Sequence, residues 1–303
     1  MTISTTKTSG QTIADEQSSL QAASGKLSWL REGHTAVITG GANGIGRAAA
    51  ETFLAHGMQV VIADNNEDAL GTTAHELSEH HHRLETITCD VRSYEDVCRL
   101  REFALERFSN VDCLMNNAGA SVTRGLPWED LEGWKKQQDI NLWGIVHGCH
   151  AFVPGMLAKG QAATIINTGS KQGITNPPGG FAYNLSKAGV LNYTQSLAHA
   201  LREEENASIT AHLLIPGFTY SNMIQQFVPT QPPGAWSTQQ VVDFMLEALA
   251  EGDFLILCPD NDTNRRLDEK RMQWQADDLI KNRPALSRWH PEFLEAYQRF
   301  VDQ

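Results

Sequence analysis

The sequence predicts an α/β fold: a doubly wound, parallel, seven-stranded sheet with helices on both faces, followed by a helical C-terminal extension. Three observations predict it. Seven apolar runs of strand length recur along the chain, at 34–39, 58–63, 84–89, 111–115, 163–168, 209–214 and 254–257. Helical stretches lie between them, such as 45–56, 66–80, 94–108 and 182–204. A glycine-rich turn, Thr39-Gly40-Gly41-Ala42-Asn43-Gly44-Ile45-Gly46, joins the first strand to the first helix. Strand followed by helix, repeated, builds a parallel sheet covered on both sides. Near-continuous apolar runs such as Val60-Val61-Ile62-Ala63 suit strands buried on both faces.

Residues 1–28 are expected to form a flexible tail, 29–260 the catalytic domain and 261–303 the extension, packed on the domain or on a partner subunit. The tail is rich in Ser, Thr, Gln and Ala and lacks the apolar core of a secretory signal. The segment 218–236, rich in Gln and Pro, is too long for a simple connection and is expected to be a functional loop.

Composition narrows the function. The formal net charge of -12 makes nucleic acid and anionic membranes poor partners. No stretch approaches the ~20 apolar residues of a membrane span. The five cysteines are odd in number and form no CxxC pair, which fits a reduced, cytoplasmic setting. His75-Glu76 and His80 follow the spacing HExxxH, one residue longer than the spacing that puts two ligands on one helix face, so no metal site is read there. Trp128 and Trp134 are read as core residues in preference to residues that shape the pocket.

The glycines of the first turn, Gly40, Gly44 and Gly46, allow tight backbone and close approach of a pyrophosphate. The helix that follows offers free N–H groups and a favourable dipole to the phosphates. Asp64 ends the second strand, where a carboxylate can bind both hydroxyls of an adenosine ribose and repel a 2′-phosphate. The following Asn65 and Asn66 supply no arginine for such a phosphate, so NAD is favoured over NADP.

Tyr183 and Lys187 stand four residues apart and share one helix face, and Ser170 precedes the tyrosine by thirteen. A free phenol has a pKa of about 10 and is a poor acid–base group near neutrality. A nearby ammonium stabilises the phenolate and lowers that value. A drop of about three units needs ~4 kcal/mol, part of which an oxidised nicotinamide could supply. Ser170 can orient a substrate hydroxyl or carbonyl.

In these residues the chain resembles the short-chain dehydrogenase/reductase family over roughly 33–259, and the implied fold is of the Rossmann type. The glycine turn, the Asp90-Val91 pair, Asn116-Asn117-Ala118-Gly119, Asn141, the Ser170/Tyr183/Lys187 set and Pro216-Gly217 come in the family's order. The resemblance implies a tetrad of Asn141, Ser170, Tyr183 and Lys187, with Tyr183 as acid–base. Lys187 would also hold the nicotinamide ribose. Asn141 would hold a water that links Lys187 to solvent; read from the residue alone, it is a buried amide that pins a helix. Around the cofactor the resemblance implies Gly40, Asn43, Gly44, Ile45, Gly46, Asp64, Asp90, Val91, Asn117, Ala118, Gly119, Tyr183, Lys187, Pro216 and Gly217. Where the family often carries Thr, this chain has Ser221, with Thr219 two residues earlier; either hydroxyl could meet the carboxamide. A homodimer or homotetramer through the helices around Asn141 and Tyr183 is also implied.

The expected activity is NAD-dependent hydride transfer between the nicotinamide and a small-molecule secondary alcohol or ketone. Phe181, Phe218, Phe227 and Trp236 hint at an apolar pocket for alicyclic or aromatic substrates. Two rival readings are an NADPH-driven carbonyl reductase and a dinucleotide sensor that keeps the fold without the chemistry.

Overall fold

The computed structural model describes residues 27–205 and 207–303. Seven strands, β1 (Thr35–Thr39), β2 (Gln59–Asp64), β3 (Leu84–Thr88), β4 (Cys113–Asn116), β5 (Ala163–Thr168), β6 (Ile209–Ile215) and β7 (Leu255–Leu257), form one sheet in the order β3-β2-β1-β4-β5-β6-β7. Every pairing is parallel. The direction of winding reverses between β1 and β4, which opens a crevice at the carboxyl ends of the strands.

The pleat of β1 shows why both faces need cover. Ala36 and Ile38 enter one core layer with Phe53, Val241 and Met245, while Val37 enters the other with Leu100, Ile145 and Phe152. The first layer is roofed by α1 (Gly44–Ala55), α2 (Glu67–Glu76) and α9 (Thr238–Glu251). The second is roofed by α3 (Tyr94–Phe108), α5 (Gly144–Lys159) and α7 (Phe181–Glu203). Asn66 caps α2 and Ser93 caps α3 through side-chain oxygens, so both helices start where polar residues meet the apolar pattern. The helix expected over 66–80 ends at Glu76, and a separate 3₁₀ turn spans Ser78–His80.

A short helix, α4 (Leu131–Gln138), runs through a π-helical turn at Asp139–Trp143 into α5. Two short helices, α6 (Gln172–Thr175) and α8 (Asn222–Gln225), follow β5 and β6. The segment 218–236 is pinned at its ends by a Thr219–Trp236 bridge. The expected flexible tail lies outside the described residues except for its last two; of these, Leu27 already packs against the core beside the buried Trp29.

The extension is folded onto its own domain. It consists of α10 (Arg265–Ile280) and α11 (Leu294–Asp302) with two 3₁₀ turns between them. Its centre is Trp274: Tyr297 and Phe300 pack at ring separations of 5.3 and 5.4 Å, Arg283 lies 3.9 Å over the indole, and Nε1 donates to Ser287 Oγ. No helix among the described residues is long and apolar enough to cross a membrane.

Candidate active site

The glycine turn crosses the carboxyl end of β1. Gly40 and Gly44 take positive φ, +62° and +59°, a region that L side chains enter only at a cost. A Cβ on Gly40 would stand 2.7 Å from the Ala118 Cα, and one on Gly46 would stand 2.4 Å from the Gly40 carbonyl oxygen. These glycines therefore let the turn, α1 and the segment after β4 close on one another. The N-terminus of α1 receives no side-chain cap, because Asn43 turns its Oδ1 to accept from Asn222 Nδ2 at 3.0 Å. Free N–H groups of a twelve-residue helix thus point into the crevice, as a pyrophosphate site requires. Ile45 sits in this first turn.

Asp64 lies at the end of β2, partly exposed. One carboxylate oxygen accepts from the Ala42 N–H of the glycine turn at 3.3 Å and the other from the Asn66 N–H at 3.1 Å. The geometry holds the carboxylate beside the turn with lone pairs to spare, which fits a ribose diol. Asp90 is engaged differently: it pairs with Arg92, whose hydrogen bonds hold its carboxyl below the usual carboxylate range. Val91 is buried against Gly144 and gives its carbonyl to His147 Nδ1.

Asn117 closes the floor. Its amide donates to the carbonyls of Thr39 and Gly40 at 3.2 and 3.0 Å and accepts from Thr168 Oγ1 at 3.4 Å, tying together the ends of β1, β4 and β5. Gly119 keeps the next step open: a Cβ there would lie 3.6 Å from Lys187 Nζ and 3.5 Å from Asn141 Oδ1.

Ser170, Tyr183 and Lys187 meet at the carboxyl end of β5. The Ser170 hydroxyl lies beside the Tyr183 phenol and favours its ionised form. Lys187 is 3% exposed, its Nζ lies 5.7 Å from the Tyr183 ring centre, and it donates to the Thr168 carbonyl at 2.8 Å. Burial pushes the phenol up from its ordinary value, against the nearby Ser170 hydroxyl, which lowers it. Burial also pushes the Lys187 ammonium down, to about 8. In the chain by itself, desolvation therefore outweighs the expected acidification of the tyrosine.

Asn141 is fully buried in the π-helical turn. Its Nδ2 donates to the Ala120 carbonyl and to Ser186 Oγ at 3.0 and 3.2 Å, and its Oδ1 accepts from the Ala120 N–H at 2.9 Å. The side chain thus clamps the segment after Gly119 to α7. The extra residue of the π turn aims it there, and nothing in the sequence marks such a turn.

After β6, the Pro216 carbonyl accepts from the Lys171 N–H at 3.3 Å, and Gly217 packs on the Lys171 side chain. Thr219 is buried and bonds back to the Gly217 carbonyl at 3.2 Å, whereas the Ser221 Cβ would face a Cβ on Gly44 at 3.5 Å. Of the two hydroxyl residues, Ser221 is the one that borders the glycine turn. Three of the thiols, Cys89, Cys149 and Cys258, are pushed by burial up to about 12 and are packing groups. Trp128 is a correction: it stands 80% exposed, on the loop before α4, rather than in the core. Reading the sequence also missed the buried cluster of Lys171, Asp260 and Asp268 beside Ser170. Lys171 adjoining the serine was its only local trace.

Known proteins share this architecture. The short chain dehydrogenase family profile matches residues 34–232, more than half of the chain. A 3beta-hydroxysteroid dehydrogenase 2 of Eggerthella lenta is 33% identical over 63% of this chain and 73% of its own length. A 1-deoxy-11-beta-hydroxypentalenate dehydrogenase of Streptomyces exfoliatus is 32% identical over 84% of this chain and 93% of its own length. A short chain dehydrogenase/reductase of Burkholderia phymatum, solved in complex with NAD, superposes with a TM-score of 0.76 at 29% identity, covering 84% of this chain and 96% of that one. With the seven-stranded sheet and the glycine turn already in place, these matches make the chain a member of the short-chain dehydrogenase/reductase family, an oxidoreductase acting on CH–OH groups.

Proposed function

We propose that this enzyme moves a hydride between NAD and a secondary alcohol or ketone, with Tyr183 as the acid–base. The observation that carries the reading is the convergence of the Ser170 hydroxyl, the Tyr183 phenol and the buried Lys187 ammonium at the carboxyl end of β5. When bound, oxidised NAD would supply the hydride acceptor and a positive charge to the site. Ser170 holds the substrate oxygen. Tyr183 gives that oxygen a proton during ketone reduction and takes one during alcohol oxidation. Burial keeps the phenol protonated in the chain alone, so oxidation draws on the combined charge of Lys187 and the pyridinium ring. Asn141 supports the site by fixing Ala120, next to Gly119.

The substrate we favour is a secondary alcohol or ketone on an apolar, alicyclic frame. The names of the two relatives specify hydroxysteroid and hydroxypentalenate substrates, and the segment after β6 leaves Phe218 and Phe227 exposed, while Trp236 packs on Phe244. A panel of such alcohols, followed by NADH formation at 340 nm (a wavelength set by the cofactor, about the usual reduced-nicotinamide band), tests the reading. Silence on every member, with NAD still bound, would favour the sensor.

Asp64 supports NAD over NADP. Replacing it with Ala removes charged hydrogen bonds worth about 2 kcal/mol, so kcat/KM with NAD should fall ~30-fold while NADP becomes a comparable cofactor. An unchanged preference in Asp64→Ala, or a wild-type enzyme that prefers NADPH, would overturn this role.

We also propose a homodimer or homotetramer. Trp128, Leu131, Trp143 and Leu185 are half or more exposed, on and around the helices that carry Asn141 and Tyr183, a grouping of large apolar side chains that suits an interface. Sedimentation equilibrium should give a dimer or tetramer; a monomer at all concentrations would refute it.

A further inference from the structure

Lys171 directly follows Ser170, and its side chain runs into a buried ion cluster. Its Nζ lies 2.7 Å from an Asp268 oxygen and 3.3 Å from an Asp260 oxygen. Arg271 stands 3.6 Å from the second Asp268 oxygen. The Asp268 and Asp260 carboxylates are 1% and 7% exposed. Two cations, themselves partly exposed, thus meet two nearly dry carboxylates.

The cluster joins three parts of the chain. Asp268 belongs to α10 of the extension, Lys171 to the segment carrying the catalytic serine, and Asp260 to the strand end after β7. The same Asp260 oxygen that faces Lys171 accepts from the Phe218 N–H at 3.1 Å, so the loop after β6 is held too. A second tether lies about two turns further along α10. With its amide oriented to satisfy both groups, Gln275 donates to the carbonyls of Ile174 and Thr175 at 3.0 and 3.1 Å. Gly173, between the tethers, lies flat on α7: a Cβ there would stand 2.6 Å from the Lys187 carbonyl oxygen.

Burying charges is a poor way to gain stability, since their desolvation offsets most of the attraction. What a buried, many-partnered ion pair does fix is geometry. Here the geometry fixed is that of the residue next to Ser170, whose hydroxyl must sit within a few tenths of an ångström to be useful. We propose that the C-terminal extension is a brace for the catalytic serine: Asp268 through Lys171, and Gln275 through the end of α6, hold residues 170–175 against α7. Lys171, Asp268 and Gln275 are positioning residues, not catalytic ones. The kinetic part rests on the reading of Ser170 given above; the mechanical part does not.

The test uses the full-length enzyme with the most active alcohol of the panel. Asp268→Asn leaves the shape and removes the charge. The double variant Lys171→Met/Asp268→Leu replaces the pair with apolar groups that can pack. Both should lower kcat at least ~10-fold with the NAD dissociation constant within about threefold of wild type. Amide hydrogen exchange at 171–176 should rise in both. The double variant should keep a wild-type melting temperature without regaining kcat, which a purely structural pair would not do. Wild-type kcat and wild-type exchange in the double variant would overturn the brace. If neither variant folds, Gln275→Leu, outside the ion cluster, decides: raised exchange and lowered kcat support the brace, and wild-type values of both refute it. Ser170→Ala separates the two ideas. Full turnover in that variant removes the role of Ser170, while the exchange data still decide whether the extension holds the loop.

Discussion

Replacing Tyr183 with Phe should lower kcat by ~10²–10⁴-fold, the span of a general acid–base group, with the NAD dissociation constant unchanged. The substitution deletes one oxygen and keeps the ring. The ring is half-buried near the start of α7, and its hydroxyl lies beside that of Ser170. Little packing is lost, so the melting temperature should stay close to that of wild type. The glycine turn, Asp64 and the free N–H groups of α1 lie on other elements and should bind the dinucleotide as before. Single-turnover absorbance and a fluorescence titration with NAD measure the two quantities separately. Retained turnover would remove Tyr183 from the chemistry. Lost NAD binding would show instead that the phenol organises the crevice.

The features legible in the sequence were those with a strong local signature. The strands stood out because burial on both faces leaves no polar alternation, as in β1 and β5, where every residue is buried. The glycine turn was legible because Gly40 and Gly46 meet backbone atoms at distances no Cβ tolerates. Tyr183 and Lys187 were legible because a helix puts positions four apart on one face. What escaped depends on long-range contacts or on small changes of winding. The π-helical turn that aims Asn141 at Ala120 differs from an α-helix by one residue per turn and has no composition of its own. Lys171 gives no hint that its partners, Asp260 and Asp268, lie beyond β7. Trp128 fits a core by composition, yet its loop leaves it outside. The direction of the Tyr183 shift was also hidden, because it depends on how much water the fold removes from the phenol.

Lys187→Met should produce an enzyme that is more stable and nearly inactive. The ordinary pKa of this amine, 10.5, is pushed down to about 8 by burial. Below pH 8 both the folded and unfolded chains carry the proton, and the folded one holds a desolvated ammonium at a cost of ~3 kcal/mol. Between about pH 8 and 10.5 the unfolded chain binds more protons than the folded one, so this group makes stability rise with pH there. Above that window both forms are neutral and the penalty is gone. Methionine matches the length of the side chain and carries no charge. It forfeits the hydrogen bond to the Thr168 carbonyl, which returns about 1 kcal/mol of the gain. The net expectation is ~1–2 kcal/mol of added stability at pH 7, or a few degrees in Tm, shrinking towards pH 10. Turnover should meanwhile fall by ~10³-fold, because the phenolate loses its nearest cation. Thermal melts of both proteins from pH 6 to about 10.5, paired with kcat, test the idea directly. A lower Tm at pH 7, or parallel pH curves for the two proteins, would mean that the ammonium is not held at a cost. A site that sacrifices stability to keep one cation dry is what catalysis by a phenol requires, and this substitution measures how much stability is given up.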